Sequence, residues 1–437
     1  MSKPIVAIVG RPNVGKSTLF NRLIKRRVAI EDDQSGVTRD RISQDMEWNG
    51  YKFTLVDTGG LVGRAAKDIE KLVSKAAEVA ILEADKLIVV VDGQVGSLEG
   101  DMQVARLAQR SGLSTVLAVT KIDTPQHETA ALDFYNLGLG EPVPVSGISG
   151  MNTGDLLDFV VEDLPESLDP ETDADEVRLA LIGRPNVGKS SLLNRLIGSE
   201  RQIVSEKPGT TRDAVDHLMR YQGKSIRLID TAGLKRSREL YKESLEYYTA
   251  LRTIRAINRS DVAAVLIDAA DGLTQYDRRL LDDVRNKGKG LIAVINKWDL
   301  IEKDSRTLIE FEKELRLQLP DLSFVPVVFI SALTGQRARN VLDTAMKVHE
   351  QRGNRISTAN LNQFIQRIIE YKPPPSVKGK WLKIKYTSQV ATNPPRFAVF
   401  MNYANLMPEA YKRFLERCIR EEFGFEGVPI RVTFRKK

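Results

Sequence analysis

The sequence is poor in cysteine and contains no long apolar run, and each shortage excludes a class of protein. Cys418 is the single cysteine among 437 residues, so an internal disulfide and a zinc cluster of cysteines are excluded. Apolar runs such as Leu87–Val91 are the length of a strand, far below the roughly 18 residues that span a bilayer. The N-terminal MSKPIVAIVG lacks the layout of a signal peptide. A protein of a reducing, cytoplasmic compartment without a membrane partner is therefore expected.

The composition is that of a folded protein, but its charge is unevenly distributed. Hydrophobic residues make up 42% and charged residues 28%, which excludes a disordered chain. Residues 1–170 carry 18 Lys and Arg against 25 Asp and Glu, whereas residues 351–437 carry 17 against 6. The excess of positive charge at the C-terminal end indicates either a solvated basic surface or a surface that binds a polyanion.

An internal repeat is the most informative feature of the chain. Residues 10–24 and 183–197 are identical at thirteen of fifteen positions, at an offset of 173. The same offset relates two further pairs of motifs, Val37–Asp40 with Thr210–Asp213 and Asp57–Leu61 with Asp230–Leu234. Three motifs in register predict two copies of one domain, each of about 165 residues.

Composition and periodicity place the boundaries of these domains. The copies are predicted at 1–164 and 177–352, separated by an acidic, proline-containing linker at 165–176, with a third domain at 355–437. Apolar strands that alternate with helices predict an α/β fold with parallel sheets covered on both faces. The third domain is predicted as α-β-β-α-β, with elements at Asn360–Glu370, Trp381–Ser388, Arg396–Asn402, Pro408–Phe423 and Pro429–Phe434.

Each copy opens with a phosphate-binding P-loop, the pattern GxxxxGK[ST] between a strand and a helix. Its backbone N–H groups and the following helix N-terminus surround phosphates, while Lys16 and Lys189 are expected to meet the β- and γ-phosphates. Ser17 and Ser190 are expected to bind Mg²⁺. The candidate residues are Gly10, Arg11, Pro12, Asn13, Val14, Gly15, Lys16, Ser17 and Thr18, and in the second copy Gly183, Arg184, Pro185, Asn186, Val187, Gly188, Lys189, Ser190 and Ser191.

The other two repeated motifs fit the switch segments of a nucleotide hydrolase. Thr38 and Thr211 each lie 22 residues after the P-loop lysine, where they are expected to close over Mg²⁺ and the γ-phosphate. Asp57 and Asp230 are expected to bind a water of Mg²⁺. The DxxG motifs add Thr58, Gly59, Gly60 and Leu61, and in the second copy Thr231, Ala232, Gly233 and Leu234; the N–H of Gly60 or Gly233 would meet the γ-phosphate.

Recognition of guanine is predicted from an NKxD motif. The carboxylate of Asp299 in Asn296-Lys297-Trp298-Asp299 would accept from N1–H and the exocyclic amine, a donor pair that adenine lacks. The first copy has Thr120-Lys121-Ile122-Asp123, with Thr in place of Asn, which weakens one contact between loops. A backbone N–H of a later loop would contact the guanine oxygen, at Ser331-Ala332 in the second copy and at Ser146-Gly147 in the first.

Taken together, these motifs resemble the Der (EngA) family of GTPases over essentially the whole chain. The resemblance implies two tandem P-loop GTPase domains and a C-terminal KH-like α+β domain. It also implies an enzyme that hydrolyses GTP to GDP with Mg²⁺ and assists maturation of the bacterial large (50S) ribosomal subunit, with ribosomal RNA as partner. A monomer is expected, and no DNA partner.

The residue after each DxxG motif, Leu61 or Leu234, cannot hydrogen-bond a water molecule. Either hydrolysis is slow or the water is positioned by other means. The resemblance implies activation by K⁺, with Asn13 and Asn186 as its ligands, although an Asn in this loop also suits a tight turn. Two other functions stay open: a GTP-gated RNA-binding scaffold with negligible turnover, and a tRNA-modifying GTPase, whose C-terminal cysteine motif Cys418 does not match.

Overall fold

The computed structural model describes residues 3–25, 43–58, 81, 84–164, 176–199, 203–208, 215–229, 242–302 and 306–436. By its contacts the chain divides into two compact units. The first comprises Met1–Thr172 with Arg236–Arg259, and the second comprises Asp173–Lys235 with Ser260–Lys437. No helix among these described residues is both long and apolar enough to cross a membrane.

The first unit contains a six-stranded sheet. Its strands, in chain order, are β1 (Ile5–Val9), β2 (Ser43–Trp48), β3 (Tyr51–Asp57), β4 (Lys86–Asp92), β5 (Thr115–Thr120) and β6 (Pro142–Pro144). They lie side by side in the order β2-β3-β1-β4-β5-β6. All neighbours are parallel except β2, which pairs antiparallel with β3.

Alternate side chains of each strand point to opposite faces of the sheet. Because the side chains on both faces are apolar, helices cover both faces. Ile5, Ala7 and Val9 lie in one apolar cluster, and Val6 and Ile8 lie in another. The helices are α1 (Lys16–Lys25), α2 (Glu99–Ser111), α3 (Thr153–Glu162) and the 3₁₀ helix Pro125–Leu137. Helices α1 and α3 cover the second cluster, and α2 with the 3₁₀ helix covers the first.

Residues 236–259, which the repeat assigned to the second copy, group with the first unit by their contacts. The helix that follows α4 (Lys189–Ser199) in the described chain is α5 (Lys242–Arg259). Leu251 and Ile254 of α5 belong to the apolar cluster that contains Ile5. The domain bounds inferred from the repeat stay predictions, because similarity between the two copies does not indicate against which sheet a helix packs.

The second unit repeats the first sheet and adds an edge strand. Its strands are β7 (Val177–Gly183), β8 (Ile203–Pro208), β9 (Val215–Tyr221), β10 (Lys224–Ile229), β11 (Val262–Asp268), β12 (Gly290–Asn296) and β13 (Val327–Phe329). The order is β13-β12-β11-β7-β10-β9-β8, in which β9 pairs antiparallel with both β8 and β10.

The α/β class is therefore confirmed, and both sheets are mixed rather than wholly parallel. The added antiparallel strands, β2 in the first sheet and β8 and β9 in the second, lie at or next to one edge. Their sequences contain charged residues at several positions and lack the continuous apolar runs on which the expectation of parallel strands was based.

The helices of the second unit flank this sheet and lead into the C-terminal domain. They are α4, α6 (Gln275–Asn286), α7 (Thr307–Gln318), α8 (Asn340–Gly353) and two 3₁₀ turns at Trp298–Leu300 and Pro320–Leu322. Leu192 of α4 and Leu342 of α8 lie in one continuous apolar cluster with Phe364 and Phe397 of the C-terminal domain. The two regions therefore share a core.

The C-terminal domain has the predicted α-β-β-α-β order, with one addition. Its elements are α9 (Thr358–Tyr371), β14 (Ser376–Val377), β15 (Lys380–Trp381), β16 (Ile384–Ala391), β17 (Arg396–Met401), the 3₁₀ turn Ala404–Leu406, α10 (Glu409–Phe423) and β18 (Arg431–Lys436). The predicted strand 381–388 begins at Ile384 instead, because Trp381 belongs to the short hairpin β14–β15. Backbone bonds from Leu291 N to Gly427 O (2.7 Å) and from Gly427 N to Phe324 O (2.8 Å) join this domain to the second sheet.

Two candidate nucleotide sites

The two P-loops have the same backbone conformation. At the position of Gly10 a Cβ atom would lie 2.3 Å from the carbonyl oxygen of Val90, and at Gly183 it would lie 2.6 Å from that of Leu266, so only glycine fits there. Asn13 and Asn186 both have φ of 64°, in the left-handed region that Asn tolerates better than most residues. The repeated Pro-Asn sequence therefore has a structural reason as well as the predicted role in K⁺ binding.

Each P-loop lysine lies inside its own loop. Lys16 Nζ donates to the carbonyl oxygens of Gly10 (2.9 Å) and Arg11 (2.5 Å). Lys189 Nζ donates to Gly183 (2.9 Å) and Arg184 (2.5 Å) in the same way. Burial lowers the pKa of Lys16 to about 8, although the negative charge of Asp57 opposes this shift, and burial lowers the pKa of Lys189 to about 8 as well. The loss of hydration makes both ammonium groups strong partners for an incoming phosphate.

The N-termini of α1 and α4 begin at these lysines and suit an anion. Neither helix has an acidic residue in its first turn, so the partial positive charge of the first N–H groups is not offset. Ser17 is exposed at this end of α1, and the buried carboxylate of Asp57 lies at the end of β3. Thr58 Oγ1 donates to the carbonyl oxygen of Ile8 (2.6 Å), which ties the start of the DxxG motif to β1.

The oxygen groups of Ser17 and Asp57 are of the kind that Mg²⁺ prefers. The remaining switch candidates lie outside the described residues, so their predicted roles stay predictions. They are Thr38, Gly59, Gly60 and Leu61 in the first copy, and Thr211, Asp230, Thr231, Ala232, Gly233 and Leu234 in the second.

An aspartate outside the predicted motifs anchors each P-loop. Arg11 Nε donates to Asp101 Oδ1 (2.7 Å), and Arg184 Nε donates to Asp277 Oδ1 (3.2 Å). Both aspartates are almost completely buried, at 1% and 0% exposure. Since Arg11 and Arg184 also supply carbonyls that hold the lysines, these ion pairs help to position the loop. Asp101 and Asp277 each lie nine residues after Asp92 or Asp268, a repeated spacing that could have revealed them.

The lysine of each predicted guanine-recognition loop is paired with the aspartate that ends the neighbouring strand, β4 in the first sheet and β11 in the second. Lys121 Nζ lies 2.5 Å from Asp92 Oδ2, and Lys297 Nζ lies 2.6 Å from Asp268 Oδ2. Both lysines have positive φ, 63° and 61°. The ion pairs hold the two loops in a turn that an unconstrained lysine rarely adopts.

The first residue of the loop separates the two copies. Asn296 Nδ2 donates to the carbonyl oxygen of Val187 (2.7 Å), and Asn296 Oδ1 accepts from Ala332 N (2.9 Å). Asn296 thus joins the P-loop to the loop that contains Ser331. In the first copy the Thr120 hydroxyl donates to the carbonyl oxygens of Val14 and Val91. Among the hydrogen bonds described for this hydroxyl, none is accepted from a backbone N–H of the following loop, as Asn296 accepts from Ala332.

The carboxylates predicted to bind guanine also differ in their surroundings. Ser146 Oγ donates to Asp123 Oδ1 (2.6 Å) and accepts from Ser149 N (2.9 Å), so the first carboxylate is held by the next loop. Asp299 Oδ1 is buried and has no hydrogen-bond partner within the described residues. A buried carboxylate oxygen without a partner is costly, and a donor from a ligand would remove that cost.

The middle residues of these loops face the protein interior. Ile122 is 1% exposed, and Trp298 is 4% exposed and packs against Phe311 and Phe329. Val14 and Val187 of the P-loops are equally buried. Within the predicted ligand-binding stretches, these four side chains therefore anchor the loops, and only their backbone is available to a ligand.

Relatives of this chain are known, and they match it along its whole length. Residues 5–121 and 178–297 match a family described as a 50S ribosome-binding GTPase, and residues 355–435 match the KH-domain-like C-terminal region of EngA bacterial GTPase enzymes. GTPase Der of Desulfitobacterium hafniense is 48% identical over 438 residues, which cover 100% of this chain and 99% of that protein. GTPase Der of Moorella thermoacetica is 47% identical over 436 residues with the same coverage. A crystal structure of Era with MgGDPNP and 16S ribosomal RNA covers 61% of this chain and 94% of Era at 22% identity and a TM-score of 0.32, a likeness too weak to bear on function.

Proposed function

This chain belongs to the GTPase Der family, and from that membership we propose that it is a slow, K⁺-activated GTP hydrolase that acts as a switch on the large ribosomal subunit. One observation carries most of the proposal. Both copies combine a P-loop lysine whose pKa is lowered by burial with a carboxylate for guanine, Asp123 or Asp299, and both groups follow parallel strands of one sheet. Nucleotide recognition and phosphate binding are therefore duplicated within the chain.

Phosphoryl transfer depends mainly on positioning and on stabilisation of charge. The P-loop lysines and the N-termini of α1 and α4 would bind the β- and γ-phosphates. Ser17 and Ser190 would hold Mg²⁺, with Asp57 and Asp230 binding one of its waters, and the metal supplies neutralisation of charge on the phosphates. Because Leu61 and Leu234 provide no hydrogen-bonding side chain for water, slow intrinsic turnover is expected.

A monovalent cation beside the P-loop would compensate for the missing catalytic side chain. Asn13 and Asn186 are exposed and occupy the same left-handed turn, and an amide oxygen is a suitable K⁺ ligand. Turnover should be faster in K⁺ than in Na⁺ at equal ionic strength. Asn186→Gly, made with Lys16→Ala, keeps a residue that tolerates positive φ but removes the amide.

This double variant should lose about 10²-fold in K⁺-dependent rate while it still binds GDP, as expected when one electrostatic donor is removed. Asn13→Gly in the same Lys16→Ala chain, which makes the same change in the disabled site, serves as the matched control. Equal rates of the unsubstituted chain in K⁺ and Na⁺ would refute the role of potassium.

The ribosomal partner is supported by the KH-like match at 355–435 and by the basic composition of residues 351–437, with 17 Lys and Arg against 6 Asp and Glu. Cosedimentation of the full chain with 50S subunits in GDP, GTP and a non-hydrolysable analogue tests the switch. Binding should be strongest with the analogue. Turnover that stays negligible with subunits present would favour the GTP-gated scaffold instead. Binding of the same strength with every nucleotide would contradict both the switch and the scaffold.

A further inference from the structure

A short hairpin in the C-terminal domain presents an exposed indole that no core requires. In β14–β15, Ser376 pairs with Trp381 and Val377 pairs with Lys380. Lys378 and Gly379 form the turn with φ of 50° and 71°, so their positive φ turns the chain back within two residues. Trp381 is 79% exposed. An exposed indole ring of this size offers a flat apolar face to a partner.

A second aromatic residue is held beside the hairpin by Asn402. Asn402 Nδ2 donates to the carbonyl oxygen of Trp381 (2.8 Å), and its Oδ1 accepts from Lys383 N (2.9 Å) and from Tyr403 N (3.0 Å). Lys380 Nζ lies 4.7 Å from the ring centroid of Tyr403. We call the group of Lys378, Lys380, Trp381 and Tyr403 the hairpin platform. Its members are exposed, and the hairpin pairing together with the bonds of Asn402 holds their backbones close together.

The sequence segment that contains the platform has charge of a single sign. Residues 371–408 contain six basic residues and no Asp or Glu. The basic residues are Lys372, Lys378, Lys380, Lys383, Lys385 and Arg396. A surface that combines exposed aromatic rings with several lysines complements a polyanion whose bases have free faces, which is single-stranded RNA. A protein partner that inserts an apolar side chain would bind the exposed rings equally well if acidic residues were present in this segment, so their lack favours RNA.

We propose that the hairpin platform is a binding site for single-stranded RNA. An unpaired base stacks on Trp381, with Tyr403 as a neighbouring stacking surface, and Lys378 and Lys380 contact the flanking phosphates. The tip Lys378-Gly379 takes the place of a GxxG clamp, because the GxxG of this domain, Gly424–Gly427, packs against the second sheet through Gly427 and the buried Phe425. This inference rests on the proposed ribosomal function for the source of the RNA, but the contact itself is independent of the nucleotide sites.

The test is a titration of the full chain with a fluorescently labelled, unstructured RNA of about 12 nucleotides, a length within the roughly 4–16 nucleotides that an OB fold binds through stacking. Trp381→Ala should weaken binding about tenfold, because a stacked base is lost. Trp381→Phe should retain most of the affinity. Lys378→Gln should weaken binding modestly and reduce the slope of log K against log salt by about 0.7 to 1, the share of one phosphate contact.

Two controls remove an exposed ring and an exposed cation outside the platform. Tyr135→Ala removes another exposed ring, 51% exposed, and Arg417→Ala removes another exposed cation of the same domain, 67% exposed. Both variants should bind RNA like the unsubstituted chain. Unchanged affinity in Trp381→Ala, or an equal loss in either control, would overturn the proposal. So would equally tight, Trp381-dependent binding of a duplex RNA, since its bases are already stacked.

Cosedimentation with 50S subunits distinguishes an RNA-binding platform from a protein-binding one. If Trp381→Ala loses cosedimentation but binds the oligonucleotide normally, the platform contacts protein, and the RNA proposal fails. If the unsubstituted chain binds the oligonucleotide through Trp381 but never cosediments with subunits, the proposed ribosomal function fails and the RNA site stands.

Discussion

The two candidate nucleotide sites have P-loops with the same backbone conformation and the same lysine hydrogen bonds, and they differ in the loops expected to recognise guanine. Lys16 and Lys189 donate to equivalent carbonyls at the same distances, 2.9 and 2.5 Å. In contrast, Asn296 connects the P-loop with Ala332, while Thr120 contacts only acceptors in the hydrogen bonds described for its hydroxyl.

This difference shows which part of the duplicated site tolerates change. The P-loop is predicted to surround phosphates, and its backbone conformation and its buried ion pair with Asp101 or Asp277 are the same in both copies. The guanine loops are held by side chains, and each copy has a different set of bonds: Ser146 holds Asp123 in the first, and Asn296 holds Ala332 in the second. The two sites are therefore expected to bind the same nucleotide with different affinities.

The largest expected effect is the loss of one site. Lys16→Ala and Lys189→Ala each remove the ammonium that would meet the phosphates, and each should weaken its own site by about 10²-fold or more. Calorimetry with GDP should then give one equivalent bound in place of two. Lys25→Ala, an exposed lysine at the end of α1, is the control. Two tight equivalents in either P-loop variant would contradict the two-site interpretation.

A smaller effect is expected from the base-recognition carboxylates. Asp123→Asn and Asp299→Asn replace an acceptor by a group that can also donate, so each site should shift from guanine to xanthine nucleotides. The loss of two hydrogen bonds to a charged group, roughly 1.5–3 kcal/mol each, corresponds to about 10²-fold or more in GDP affinity. Competition between GDP and XDP, measured in chains with the other P-loop lysine replaced, isolates each site. An unchanged preference for GDP would exclude the substituted carboxylate as the group that selects guanine.

Exchange of the first loop residue tests the difference between the copies directly. Asn296→Thr removes the acceptor for Ala332 N and should weaken the second site about fivefold to tenfold, the value of roughly one hydrogen bond. Thr120→Asn should strengthen the first site by a smaller factor. Stopped-flow release of labelled GDP from single-site chains measures both changes. If the exchange leaves both release rates unchanged, the contacts of Asn296 do not account for any difference in affinity.

No difference between the copies is expected in their response to pH. Burial lowers the pKa of both lysines to about 8, so above pH 8 each loses the proton with which it is expected to bind phosphate. GDP affinity should therefore be nearly constant below pH 8 and should fall by up to about tenfold per pH unit above it. Titrations at pH 7, 8 and 9 in each single-site chain test this expectation. A flat response in one copy alone would show that the two lysines differ when phosphate binds.

Residue patterns predicted the elements whose side chains have a regular period. The apolar strands near Ile5, Leu179, Leu291 and Ala263 and the helices of the C-terminal domain lie within a few residues of their predicted bounds, because burial imposes that period directly. The antiparallel strands β2, β8 and β9 were missed, since the charged residues within them interrupt the apolar pattern. The 3₁₀ helix Pro125–Leu137 was missed as well, because its apolar residues do not follow the α-helical period.

The sequence by itself determined the duplication and predicted the P-loop chemistry and the guanine motif, because each depends on residue types at fixed local spacing. Only the tertiary structure decided the partners of those residues. It brought Asp101 to Arg11 and Asp277 to Arg184. It also placed Asn296 between the P-loop and the loop that contains Ala332, so that its side chain bonds to both. It also placed Tyr403 beside the hairpin that carries Trp381. Such contacts join residues distant in the chain, and their energy depends on burial and geometry that local spacing does not contain.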